Sequence, residues 1–183
     1  MHKQKDHVET MDHQEFKVRE EEVLINVIYV RGTVDRLLPF LTSLVNHSLC
    51  QFRLISNGCL AKEQALLQQY ADHCERASFF DLKTPNVLPH HDVLMRLLPL
   101  EQGPVFAFLD SDILAKGPFL KQLLEASTNH QAVFTGFPLW HERNELKMRR
   151  EFKILGGRFL HSHHEMLYGF SYAAIYRTAP LRQ

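Results

Sequence analysis

From residue 23 onward, short and almost wholly apolar runs alternate with longer stretches in which apolar residues return every three or four positions. Residues 23–30 (VLINVIYV) are rich in β-branched side chains and apolar nearly throughout, the pattern of a strand buried on both faces. Gly32 breaks the run, and Thr33 stands where a helix cap belongs, ahead of VDRLLPFLTSLVNHS with Asp35 in its first turn. Pro39 inside that stretch predicts a kink or a late start, because proline cannot donate a helical hydrogen bond. Residues 51–56 (QFRLIS) read as a second strand, ended by Asn57–Gly58. AKEQALLQQYADHCE is built of strong helix formers, with apolar residues near helical spacing at Ala65, Leu66, Tyr70 and Cys74. ASFFDL is a third strand, KTPNVLP a loop and HHDVLMRLLPL a third helix. Gly103–Pro104 precedes a fourth strand, VFAFL. Gly117–Pro118 opens the helix FLKQLLEAS, with the proline in its first turn, and QAVFTGF is a fifth strand.

This β-α-β-α-β-α-β order predicts an α/β fold with a mostly parallel central sheet and helices on both faces. Residues 1–21 are polar and charged and read as a solvated tail, leaving residues 22–183 as one domain.

Composition changes this picture little. The chain has 183 residues, 45% hydrophobic and 23% charged, as a globular domain should. Lys plus Arg equals Asp plus Glu at 21 each, so no bulk positive field draws in nucleic acid, and any anion site must be local. Cys50, Cys59 and Cys74 form no C-x-x-C pair, which argues against a disulfide framework or zinc knuckle and fits a reducing, cytoplasmic setting. No apolar run of about 18 residues suggests a membrane span, and the N-terminus lacks the apolar core of a signal peptide.

The candidate chemistry lies in VFAFLDSDILAKGPF. Ligands of open α/β sheets bind beyond the carboxyl ends of strands, and Asp110 and Asp112 stand at such an end. Residues i and i+2 of an extended segment point the same way, so both carboxylates can face one site. Hard oxygen ligands suit Mg2+ or Mn2+, which can neutralise a diphosphate leaving group. Solvated turn aspartates are the plain alternative. Haloacid-dehalogenase-type phosphatases also use an aspartate pair, but on the first strand; here it follows the fourth.

Taken in order, VLINVIYVRGTVDRLLPFLTSL, RLISNGC, VFAFLDSDILAKGPFL and LYGFSYAAIYRTAPL resemble the nucleotide-binding part of a glycosyltransferase of Rossmann-like GT-A fold, over residues 23–181. The resemblance implies transfer of a sugar from a nucleotide-sugar donor, a UDP-sugar foremost, to an acceptor hydroxyl on a carbohydrate or lipid-linked molecule. It implies Asp112 as a ligand of Mn2+ or Mg2+. Asp110 would meet the ribose or a metal-bound water, sharing the metal site, with Ser111 between them on the nucleotide side. Tyr29, Val30 and Arg31 would lie against base and ribose. Where the family commonly carries D-D-G-S or D-N-G-S, this chain has Ser56–Asn57–Gly58–Cys59, leaving Asn57 as a possible base contact or a plain turn residue. Asp81, at the end of the third strand, and His91, beside His90 at the third helix start, are further nucleotide candidates.

The acceptor side is less legible. HSHHE at 161–165 matches no metal motif and reads as a polar loop or an acceptor contact. Trp140 can stack on a sugar or belong to the core, and KMRREFK is a solvated helix face or a contact for a phosphate-bearing acceptor at a membrane surface. No acidic residue follows Glu165. A general base is therefore Glu165, Glu142 or a histidine, or the acceptor part is truncated and the domain is a non-catalytic nucleotide- or protein-binding remnant. A nucleotidyltransferase is a third reading, but YVRGTVD makes a poor phosphate loop.

Overall fold

The apolar run expected as the first strand forms β1 (Leu24–Val30), with side chains buried on both sides. The computed structural model describes residues 16–140 and 167–182. α1 (Val34–Asn46), β2 (Gln51–Asn57), α2 (Ala61–His73), β3 (Ala77–Asp81), α3 (His90–Leu97), β4 (Val105–Asp110), α4 (Leu120–Ser127) and β5 (Ala132–Trp140) follow. β6 (Leu167–Arg177) and a last helical turn, α5 (Thr178–Leu181), end the described chain. The sheet has six strands in the order β3-β2-β1-β4-β6-β5. β1 pairs in parallel with β2 and β4, and β2 with β3, whereas β6 runs antiparallel to β4 and β5. The mostly parallel α/β expectation holds, and β6 is wedged between β4 and β5.

Alternation along β1 divides the core. Ile25, Val27 and Tyr29 face Leu41 and Leu44 of α1, Leu67 of α2 and Leu120 and Leu124 of α4. On the other face Ile28, Ile55, Phe106 and Phe108 meet Val93 and Leu97 of α3. Each such aliphatic side chain contributes roughly 1.5–3 kcal/mol by leaving water. Asn26, fully buried in β1, is tolerated because its Nδ2 donates to the Ala107 carbonyl at 2.9 Å and Arg53 donates to its Oδ1 at 3.3 Å.

Several local expectations need correction. Thr33 precedes α1, but its hydroxyl donates back to the Val30 carbonyl at 2.7 Å and caps no helical N–H. Pro39 lies within a helix that already starts at Val34. The buried face of α2 is Glu63 and Leu67, while Ala65 and Leu66 are exposed. Pro118 precedes the Phe119 cap of α4 and lies outside its first turn. Before β1, Phe16 and Val18 pack on the core, and the Arg177 guanidinium lies 4.2 Å over the Phe16 ring. No helix among the described residues is long and apolar enough to cross a membrane.

Candidate functional site

β1 has α1 following it toward β2, while β4 lies on its other side. The crevice between the carboxyl ends of β1 and β4 is therefore the topological switch point, where α/β sheets bind ligands. A cavity of about 310 Å³ opens there, lined by Ile28 and Val30 of β1, Thr33 and Leu37, Asn57, Leu88 and His90, and Asp110, Ser111 and Asp112.

Asp110 closes β4, where Ile28 pairs with it across the sheet. It is half-buried, and Asp112 is exposed. Neither carboxylate has an ion-pair or hydrogen-bond partner among the described residues. Burial, and then the neighbouring Asp112, push the Asp110 carboxyl up to about 6. A cation would relieve both causes, by replacing lost solvation and by opposing the charge of Asp112. His90 is exposed as a residue, but its ring lies edge-on to Phe108 with ring centroids 5.2 Å apart. Burial, with a smaller effect from His91, pushes its imidazole below the ordinary value, so the ring is neutral at pH 7.

The cavity thus brings together Val30, Asn57, Asp110, Ser111 and Asp112 of the sequence-predicted set. Tyr29 lies elsewhere: its side chain alternates to the opposite face and is fully buried among α1 and α2 residues. Its phenol has no hydrogen-bond partner among the described residues, and burial pushes its pKa up. Arg31 is spent on carbonyls, its Nε donating to Gly58 at 2.9 Å and its Nη2 to Pro85 at 2.7 Å. Asp81 accepts the Lys83 N–H at 3.1 Å, and His91 is exposed, 3.1 Å from Asp92. Asn57 is 1% exposed, with both amide atoms engaged by Leu88: Nδ2 donates to its carbonyl at 2.9 Å and Oδ1 accepts its N–H at 2.8 Å.

Ile28, Thr33, Leu37 and Leu88 line the cavity without having been assigned to the nucleotide from sequence, and of the histidine pair at the start of α3 it is His90 that lines it. The alternation of β1 could have supplied Ile28, which shares a face with Val30 and not with Tyr29. Glu142, Glu165, the histidines of 161–164 and the basic run 147–153 lie outside the described residues. Trp140 is the last residue of β5, paired with Leu167. β4 pairs with β6 only from Ala173 to Arg177, so the β5–β6 ribbon continues past the end of β4 that carries Asp110.

Two solved structures share this fold. A mannosyltransferase from Pyrobaculum calidifontis, in complex with GDP-Man and Mn2+, aligns with a TM-score of 0.54 at 11% identity, covering 88% of this chain and 46% of that one. The glycosyltransferase GlyE of Streptococcus pneumoniae aligns with a TM-score of 0.50 at 13% identity, covering 87% of this chain and 35% of that one. The fold is that of these glycosyltransferases. This chain spans less than half the length of either. No protein-family model and no curated protein matches the sequence.

Proposed function

We propose that this chain carries the donor site of a metal-dependent glycosyltransferase that takes a nucleotide sugar. The observation that supports it most is the unpartnered pair Asp110 and Asp112 at the switch-point cavity of a glycosyltransferase fold. The donor set fits Mg2+ or Mn2+. Both ligands are hard oxygens, and such ions keep waters and substrate phosphates in the rest of their shell. That is consistent with the described residues, where no group of three or more His, Cys, Asp or Glu could hold an ion by itself.

In this reading Asp112, exposed at the rim, is the principal ligand, and Asp110 shares the ion or orders a water on it. When bound, the ion supplies positive charge for a departing nucleoside diphosphate. Ile28, Val30, Leu37 and Leu88 give the cavity an apolar wall that excludes water from the nucleoside, and Ser111 and neutral His90 offer hydrogen bonds beside it. The base is unassigned, since GDP-Man and UDP-sugar donors place the same demand on the aspartates. The acceptor side is expected where the β5–β6 ribbon passes beyond β4, with Glu142 or Glu165 as base candidates.

The test is release of nucleoside diphosphate from a panel of nucleotide sugars with Mn2+, by the wild type and by Asp112→Ala. Metal-dependent release that the substitution abolishes supports the transferase. Metal-dependent binding without release, with candidate acceptors present, favours a donor-binding module. Neither binding nor release defeats the proposal.

A further inference from the structure

The acidic side chain that the family resemblance would send to the base is replaced here by Ser56, which leaves Asn57 beside it as the possible base contact. The contacts of Asn57 describe a different task. Its amide pairs with the backbone of one residue, Leu88, as donor at 2.9 Å and acceptor at 2.8 Å. Almost none of it remains accessible. An ionised aspartate only accepts, so it would keep the Leu88 N–H and set a negative charge against the Leu88 carbonyl.

Other contacts act on the same strap between β3 and α3. Arg31 holds the Pro85 carbonyl at 2.7 Å, and through Nε also fixes Gly58 at 2.9 Å. Gly58 has φ +68°, and a Cβ there would come within 2.7 Å of Asn86 C and Val87 N. A side chain at 58 would thus drive the strap off the end of β2. Pro85 and Pro89 restrict the backbone on either side of Leu88, so a few ties suffice to set its position. Directly after the strap, His90 begins α3, and both Leu88 and His90 line the cavity shared by Asp110 and Asp112.

We infer that Asn57 is a positioning residue: its amide clasps the strap at Leu88 to the end of β2, and thereby places Leu88 and His90 as cavity wall. It does not read the base. For nucleotide binding this rests on the donor-site reading; for the strap it stands alone. An acid placed at 57 therefore weakens binding without altering base preference.

The experiment combines amide hydrogen exchange and NMR of the free chain with calorimetric titration of Mn2+, GDP plus Mn2+, and UDP plus Mn2+. Wild type, Asn57→Ala and Asn57→Asp are compared. In Asn57→Ala the Leu88 amide is expected to exchange at least about tenfold faster while β1 and β4 amides stay protected. The His90 ring protons lose the ring-current shift from Phe108. Affinities for GDP and UDP fall together by about tenfold in both variants, as the loss of one or two hydrogen bonds would give, and Mn2+ alone binds as before. An unchanged Leu88 amide and His90 shift, or a loss confined to one base, overturns the clasp. If wild type binds neither nucleotide, the donor reading fails, while exchange and the His90 shift still decide the clasp. If Asn57→Ala does not fold, Arg31→Ala removes the tie at Pro85 from an exposed position and is expected to speed exchange at 86–88; no change there overturns the proposal equally.

Discussion

Asp110 carries its folding cost at the same carboxyl that the proposed donor site would use. Its pKa, about 6 in the folded chain against an ordinary 3.8, means that folding favours its protonated form. The stability it allows is full below the ordinary value and is lost as pH rises through about 6. Asp110→Asn is therefore expected to stabilise the metal-free chain at pH 8 by roughly 1–2 kcal/mol, a shift discounted because solvent reaches half of the group. The gain should shrink toward zero near pH 4, and urea unfolding at the two pH values checks this; an equal gain at both would mean that charge is not the cause. Asp112 is exposed, so Asp112→Ala should leave metal-free stability within about 0.5 kcal/mol of wild type and remove Mn2+-dependent nucleotide binding. The aspartates were legible in the sequence because a strand end in an α/β chain is where ligands bind. Asn57 was not, because its partner Leu88 lies 31 residues away and nothing local shows that both amide atoms are taken.

Among the elements, α2 carries the clearest unpredicted tie. Glu63 is 3% exposed, with Oε2 accepting the Leu60 N–H at 2.8 Å and Oε1 accepting the Gly32 N–H at 2.7 Å. One carboxylate thus starts α2 and fixes the β1–α1 turn, where Gly32 adopts φ +84° just before cavity residue Thr33. Glu63→Ala leaves two N–H groups without their partner and is expected to cost about 2–3 kcal/mol in urea unfolding; a cost under 0.5 kcal/mol would show that water satisfies them equally well. The local bond fits a readable rule, a glutamate three residues into a helix. The bond to Gly32 comes from tertiary packing, as does the helix phase: the residues of α2 are so evenly mixed that sequence periodicity favoured Ala65 and Leu66, and the sheet selected Leu67.

For the molecule as a whole, strand and helix alternation made β1 through β4 and their direction legible, since apolar runs separated by helices form parallel crossovers. The place of β6 was not legible. Its insertion between β4 and β5 depends on pairing across the sheet, such as Leu109 with Ala173, and local pattern carries no information on such partners. That insertion sends the β5–β6 ribbon beyond the end of β4 that carries Asp110. Asp110 and Asp112 are proposed to make a metal-dependent nucleotide-sugar site. The most direct measurement is thermal unfolding of the chain with GDP- and UDP-sugars, each with and without Mn2+, beside Asp112→Ala. A donor at 100 times its dissociation constant should add about 2.7 kcal/mol of stability. The Tm is expected to rise only when both nucleotide sugar and Mn2+ are present, and not at all in the variant. A folded wild-type chain whose Tm responds to no nucleotide sugar, or responds equally without metal or without Asp112, would contradict it.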